Sequence, residues 1–271
     1  MADDDRADFE CTAFSHAGKT RTVYRKGSGP AVIVLAEMPG ITPLVASFAR
    51  KVAQIGCTPV MPHLFGTPGK DPLAGNRLDT LGYVLSSFAP ICISREFTVW
   101  ATNRTSPVIE WLRALAAAEH QRCGGPGVGA IGMCFTGGFA LAMATDPSVL
   151  APVLSQPSLP FATTRSKGHS IDCSPADLAT VRKRCDTEGL GVLGLRFRGD
   201  RFVPSARFGF LKEQLGDAFV AVELDDSCAN PEATMRPHSV VTEHLIDEPG
   251  QPTREALDRV LDLFRQKLLT T

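Results

Sequence analysis

Three side chains that together can open a carbonyl compound stand in this chain next to short apolar runs. Cys134 lies in Gly129-Ala-Ile-Gly-Met-Cys-Phe-Thr-Gly-Gly-Phe-Ala140, Asp200 in Gly199-Asp-Arg-Phe-Val-Pro204, and His238 in Met235-Arg-Pro-His-Ser239. A thiolate can attack a carbonyl carbon, an imidazole can move the proton, and a carboxylate can hold the imidazole in one tautomer. Around the cysteine, small and β-branched residues run into Gly132, and Gly137 and Gly138 precede the helix-forming run Phe139-Ala-Leu-Ala-Met-Ala144. That pattern predicts strand, sharp turn and helix with the cysteine at the apex, the geometry of a nucleophile elbow. Such a turn strains its central residue, and nearby glycines let strand and helix pack closely. The thiol then meets the N-terminus of a helix, where partial positive charge favours a thiolate. These features imply a hydrolase with a cysteine nucleophile, which needs a base, an orienting acid and an oxyanion hole from elsewhere.

In a nucleophile-elbow enzyme the acid and then the histidine follow the nucleophile along the chain. Asp200 comes directly after the apolar run Val192-Leu-Gly-Leu-Arg-Phe197, where a carboxylate can hold an imidazole from a later loop. The plainer reading of Asp200 is a turn or helix-capping aspartate. His238 follows the last predicted strand, and Pro237 and Ser239 put it in irregular backbone. Its competitor, His244, sits in the more apolar Val240-Val-Thr-Glu-His-Leu and reads as a structural histidine. His16, His63, His120 and His169 fall outside the expected position. Glu37, at the end of an apolar run, needs a partner if it is buried.

The elements that would position these groups alternate. Strands are predicted at 20–25, 31–35, 57–61, 128–132, 150–155, 191–197 and 218–224. Helices are predicted at 43–55, 106–118, from 139, 175–185, 204–215 and 253–269. The continuous apolar run Ala31-Val-Ile-Val-Leu35 fits a strand covered on both faces. Strands alternating with helices predict an α/β fold, a doubly wound, mostly parallel sheet with helices on both faces. The expected organisation is a loosely packed N-terminus at 1–18 and a single domain at 19–271. A Gly- and Pro-rich insertion at about 63–104 would carry substrate contacts.

Composition narrows the function classes. The chain has 271 residues, a net charge of -1 and 44% hydrophobic residues. That is enough for one sizeable core, with nothing polybasic to meet a nucleic acid or membrane surface. No apolar run is long enough to span a bilayer, and the acidic start Met1-Ala-Asp-Asp-Asp-Arg is no secretory signal, so a cytoplasmic protein is expected. The eight cysteines form no C-x-x-C pair and are expected to stay reduced. No cofactor or metal is expected. The letters Gly127-Val-Gly-Ala-Ile-Gly132 spell a nucleotide fingerprint but lack the strand before it. Cys228, His238 and His244 have no common zinc spacing. The expected partner is a small-molecule ester or lactone, and the expected state a monomer or weak homodimer.

Taken together, Gly-Met-Cys-Phe-Thr-Gly-Gly, Gly-Asp-Arg-Phe-Val-Pro, His238-Ser239 and Ala36-Glu-Met-Pro-Gly40 resemble the dienelactone hydrolase family, the cysteine branch of the α/β-hydrolase fold. The resemblance runs from about Val32 to the C-terminus. It implies Cys134 as nucleophile, His238 as base and Asp200 as orienter. It further implies a Glu37 that contacts the resting thiol, and an oxyanion hole from the backbone N–H groups of Met38 and Phe135. Two positions depart from the family pattern. Thr136 stands where the family has glycine, which predicts a slightly wider elbow. Thr242 stands where the family has an arginine for the substrate's carboxylate. Arg95, Arg104 and Arg236 are the candidate substitutes, with Arg95 preferred. A thiolate also leaves readily, so activated esters and lactones suit it better than alkyl esters or amides. Alternatives on the same fold are a thioesterase or acyl transferase and a non-catalytic binder of small ligands.

Overall fold

The computed structural model describes residues 2–74, 82–83, 85–87, 96–97, 100 and 102–270. Its strands are β1 (Glu10–His16), β2 (Lys19–Arg25), β3 (Ala31–Leu35), β4 (Thr58–Pro62), β5 (Val128–Met133), β6 (Val149–Ser155), β7 (Val192–Phe197) and β8 (Phe219–Leu224). Its described helices are α1 (Pro43–Gln54), α2 (Val108–Cys123), α3 (Phe139–Met143), α4 (Arg165–Gly168), α5 (Pro175–Glu188), α6 (Ser205–Leu215) and α7 (Pro252–Phe264). The strands form one eight-stranded sheet in the order β1-β2-β4-β3-β5-β6-β7-β8. The pairs β1/β2 and β2/β4 are antiparallel and the rest parallel. This is the predicted α/β fold, an α/β-hydrolase sheet. No described helix is long and apolar enough to cross a membrane.

The central strands are apolar throughout because both faces are covered. In β3, Ile33 and Leu35 enter the core under α2 and α3, while Val32 and Val34 enter the core under α1 and α7. The period of two in a strand divides one apolar run between two cores. Local signals place the helix ends. The Thr42 hydroxyl caps α1 by accepting from the Val45 N–H at 3.3 Å, and Pro43 follows the cap. Helix α2 runs five residues past its predicted end because Ala-Glu-His-Gln-Arg favours helix, and it stops at Gly124 with φ 69°.

The N-terminal stretch departs from its expected loose packing. Residues 10–16 form β1, paired with β2 from Glu10↔Arg25 to His16↔Lys19. Ala17 and Gly18, with φ of 47° and 74°, make the tight turn between them. Arg50 on α1 also holds Asp4 at 2.6 Å and Asp8 at 2.7 Å. The predicted insertion at 63–104 falls largely outside the described residues.

One buried cation organises the loop after β6. Arg207 on α6 is fully buried. It donates to the carbonyls of Pro157 at 2.7 Å, Ser170 at 2.8 Å and Lys167 at 3.0 Å. Burial lowers its proton affinity to about 10, against the opposing pull of Asp200 and Asp172, so it stays charged at neutral pH. Arg207→Ala would strand these carbonyls around a cavity. The expected cost is at least about 3 kcal/mol, read by urea denaturation.

Candidate active site

The site gathers at the carboxyl ends of the parallel strands, the usual position for ligands in an open α/β sheet. Strand β5 delivers Cys134, β3 delivers Glu37, β7 delivers Asp200, and the chain beyond β8 delivers His238. Cys134 opens a 3-10 turn, Cys134–Thr136, before the short α3. Its φ is +50°, as the sequence pattern predicts for the apex of an elbow. Two glycines make the turn sterically feasible. A Cβ on Gly132 would meet the Thr136 carbonyl oxygen at 2.0 Å, and one on Gly137 would meet Pro157 Cα at 2.4 Å. The Cys134 carbonyl accepts from the N–H groups of Gly137 at 3.0 Å and Ser158 at 2.9 Å.

Thr136 does not point into solvent at a loosened elbow. Its side chain is fully buried. The hydroxyl accepts from the Met133 N–H at 3.0 Å, and its proton faces the carbonyls of Leu35 at 3.0 Å and Ala36 at 3.2 Å. The elbow is thereby tied to the end of β3.

His238 and Asp200 are both buried, and His238 Nδ1 lies 2.7 Å from Asp200 Oδ2. The other carboxylate oxygen, Oδ1, accepts from the Phe202 N–H at 2.9 Å. Asp200 is thus at once a turn aspartate and the partner of the imidazole, one oxygen for each. Nε2 of His238 has no hydrogen-bond partner among the described residues. Burial disfavours the charged ring, yet the neighbouring Cys134 sulfur and the Asp200 carboxylate outweigh it and raise His238 well above the ordinary imidazole value of 6.5. The Ser158 hydroxyl lies 3.6 Å from Cys134 Sγ.

Glu37 is buried but is not hydrogen-bonded to the thiol. Its Oε2 accepts from Gln156 Nε2 at 3.0 Å and from the Ser239 hydroxyl at 2.7 Å, and its Oε1 accepts from the Thr242 hydroxyl. Ser239 and Thr242 both follow His238 closely, so the carboxylate at the end of β3 holds the histidine's loop. Gln156, at φ +36°, also receives the Val240 N–H at 3.3 Å. His244 braces the same loop, as its structural reading predicts. Its Nδ1 accepts from the Ser239 N–H at 3.1 Å, and its Nε2 lies 3.2 Å from the Met235 carbonyl. Sequence reasoning missed Gln156, Ser158, Ser239 and Thr242 as partners. Only the position of Ser239 beside the histidine signalled anything.

A cavity of about 380 Å³ opens beside Cys134 and His238, lined also by Met38, Phe135 and Ser158. Arg104 and Arg236 are exposed and do not line it, and Arg95 lies outside the described residues. The described residues contain no cluster suited to a metal ion.

Truncating Glu37 removes the acceptor of three buried donors. Glu37→Ala is expected to cost roughly 2–4 kcal/mol in urea denaturation. Glu37→Gln, which keeps one carbonyl oxygen, should cost less than half as much.

Comparisons with known proteins bear on the fold and the family. Matching solved structures include a candidate dienelactone hydrolase from Klebsiella pneumoniae subsp. pneumoniae MGH 78578. It shares 16% identity, with a TM-score of 0.60 over 95% of this chain and 98% of that one. A dienelactone hydrolase-like promiscuous phosphotriesterase from metagenomic libraries shares 15% identity, with a TM-score of 0.57 over 96% and 98%. The α/β hydrolase GrgF from Penicillium sp. sh18 shares 13%, with a TM-score of 0.56 over 97% and 99%. At these identities the likeness concerns the fold. Comparison with curated proteins gave no match. The sequence model of the dienelactone hydrolase family matches residues 19–170, more than half of the chain, and the protein belongs to that family of α/β hydrolases.

Proposed function

We propose that the protein hydrolyses activated esters or lactones through a thioester on Cys134. The observation that carries this reading is His238 set between a carboxylate on Nδ1 and the Cys134 sulfur near its unpartnered Nε2. In the first step the Cys134 thiol gives its proton to Nε2 of His238, the sulfur bonds to the carbonyl carbon, and the carbonyl electron pair moves onto oxygen. The backbone N–H groups of Met38 and Phe135 form the oxyanion hole in this reading, supported by the place of both residues in the cavity wall beside Cys134. As the carbon–oxygen bond to the leaving group breaks, the imidazolium gives its Nε2 proton to the departing oxygen. Water then attacks the thioester, His238 takes its proton, and the thiolate departs. Asp200 holds the ring by Nδ1 throughout. Glu37 acts here as a positioning residue through Ser239 and Thr242, rather than as a contact of the thiol. An enol or aryl leaving group fits best, because it must compete with a thiolate when the tetrahedral intermediate collapses.

Three outcomes are expected with an aryl ester. Cys134→Ala, shown to be folded, loses at least about 10³-fold in kcat. If Cys134→Ala matches the wild type, the reading falls. Asp200→Asn loses on the order of 10²–10⁴-fold, since the ring is released from its tautomer. The pH profile follows from the raised His238. The imidazolium is lost only as pH rises through its raised folded value, so the alkaline limb lies above the ordinary imidazole value of 6.5. Asp200→Asn removes one of the two groups that raise it and should move that limb to lower pH.

A further inference from the structure

We propose that the cavity beside Cys134 accepts esters whose bound parts carry no negative charge, and that Glu243 excludes carboxylates from it. This rests on the ester hydrolysis proposed above and narrows its substrate class. The first observation is the apolar character of the cavity and its mouth. Leu73, Phe202 and Met235 line it and are 45%, 50% and 55% exposed. They are three of the six exposed large hydrophobic residues among those described, and exposed apolar groups gathered at a cleft mark a binding surface. The second is the sign of the charge. The charged side chains that line the cavity are Glu37, Asp71 and Glu243, besides the titratable Cys134 and His238, and no described lysine or arginine is among them.

Glu243 is the carboxylate best placed to discriminate. It is half-buried, and its Oε1 accepts from the Thr234 N–H at 3.1 Å and the Thr234 hydroxyl at 3.0 Å. Neither its Oε2 nor any described cation completes an ion pair there. An entering carboxylate would shed water, find no lysine or arginine partner among the described lining residues and, at Glu243, meet like charge at short range. A hydrocarbon tail of the same length gains from the same burial. Selectivity here comes as much from repulsion as from attraction.

The test compares p-nitrophenyl pentanoate with mono-p-nitrophenyl glutarate on the wild type and on Glu243→Lys. The wild type should favour the pentanoate by about tenfold or more in kcat/KM. Glu243→Lys should move the ratio at least about tenfold toward the glutarate. Equal or faster hydrolysis of the glutarate by the wild type overturns the proposal. So does a ratio that Glu243→Lys leaves in place. A glutarate preference that Arg95→Ala abolishes would assign a carboxylate site to that arginine, and also overturns it. Binding of the same two esters to Cys134→Ala, measured by calorimetry, separates this inference from the chemistry. If the wild type hydrolyses neither ester, the hydrolysis reading fails, while the two affinities still decide the selectivity. Tighter pentanoate binding supports it, and equal or tighter glutarate binding overturns it.

Discussion

The backbone at Cys134 is held at φ +50°, and much of the surrounding structure keeps it there. A non-glycine residue in that region costs of order 1 kcal/mol or more, so its neighbours must over-determine the turn. They do so in three ways. Gly132 and Gly137 leave no Cβ where the turn crosses itself and where it meets Pro157. The Cys134 carbonyl accepts two amide N–H groups, one from within the turn and one from Ser158. The Thr136 hydroxyl binds the turn to the last residues of β3. The constraint then spreads outward, because Pro157 and Ser158 are themselves fixed by a loop that Arg207 gathers around its guanidinium.

The histidine poses the opposite problem. It arrives on a long irregular stretch after β8, with no strand or helix to aim it. Its position comes from polar contacts made across the sheet. Glu37, at the end of β3, takes the hydroxyls of Ser239 and Thr242, and Gln156, at the end of β6, takes the Val240 N–H. His244 closes the near side by joining Ser239 to Met235. With the loop held at both ends, the single bond from Nδ1 to Asp200 is enough to set the ring. A buried carboxylate with three neutral donors is satisfied without a cation, which keeps positive charge away from the imidazole.

These two arrangements differ in how far the sequence reveals them. The elbow is local. Val128-Gly-Ala-Ile-Gly-Met-Cys-Phe-Thr-Gly-Gly states its strand, its turn and its need for close approach within eleven residues, and β3 is equally plain as a run covered on both faces. Asp200 and His238 were legible through chain order and flanking strands, although thirty-eight residues separate them. The struts were not legible. Gln156 lies 119 residues from Glu37, Ser239 lies 202 and Thr242 lies 205. Nothing local distinguishes a buried hydroxyl or amide that meets such a partner from one on the surface. Strand β1 escaped for a related reason: it is an edge strand, and its alternation of exposed and half-buried residues is faint.

Thr242 links the support of the histidine's loop to the charge of the cavity wall. The family resemblance expects an arginine there, reaching toward a carboxylate on the substrate. In this chain the position is buried, and its hydroxyl is given to Glu37. An arginine at that point would have to bury its charge beside Glu37 or displace the Ser239 and Gln156 contacts. The threonine instead completes the support of the histidine loop, in place of an arginine at that position. One substitution of this kind changes two properties together. It makes the loop's support internal and neutral, and it leaves no lysine or arginine among the described residues of the cavity wall. The arrangement around Cys134 can therefore be kept while the charge of the cavity wall changes, since the position that the family pattern gives to an arginine here supports the histidine's loop.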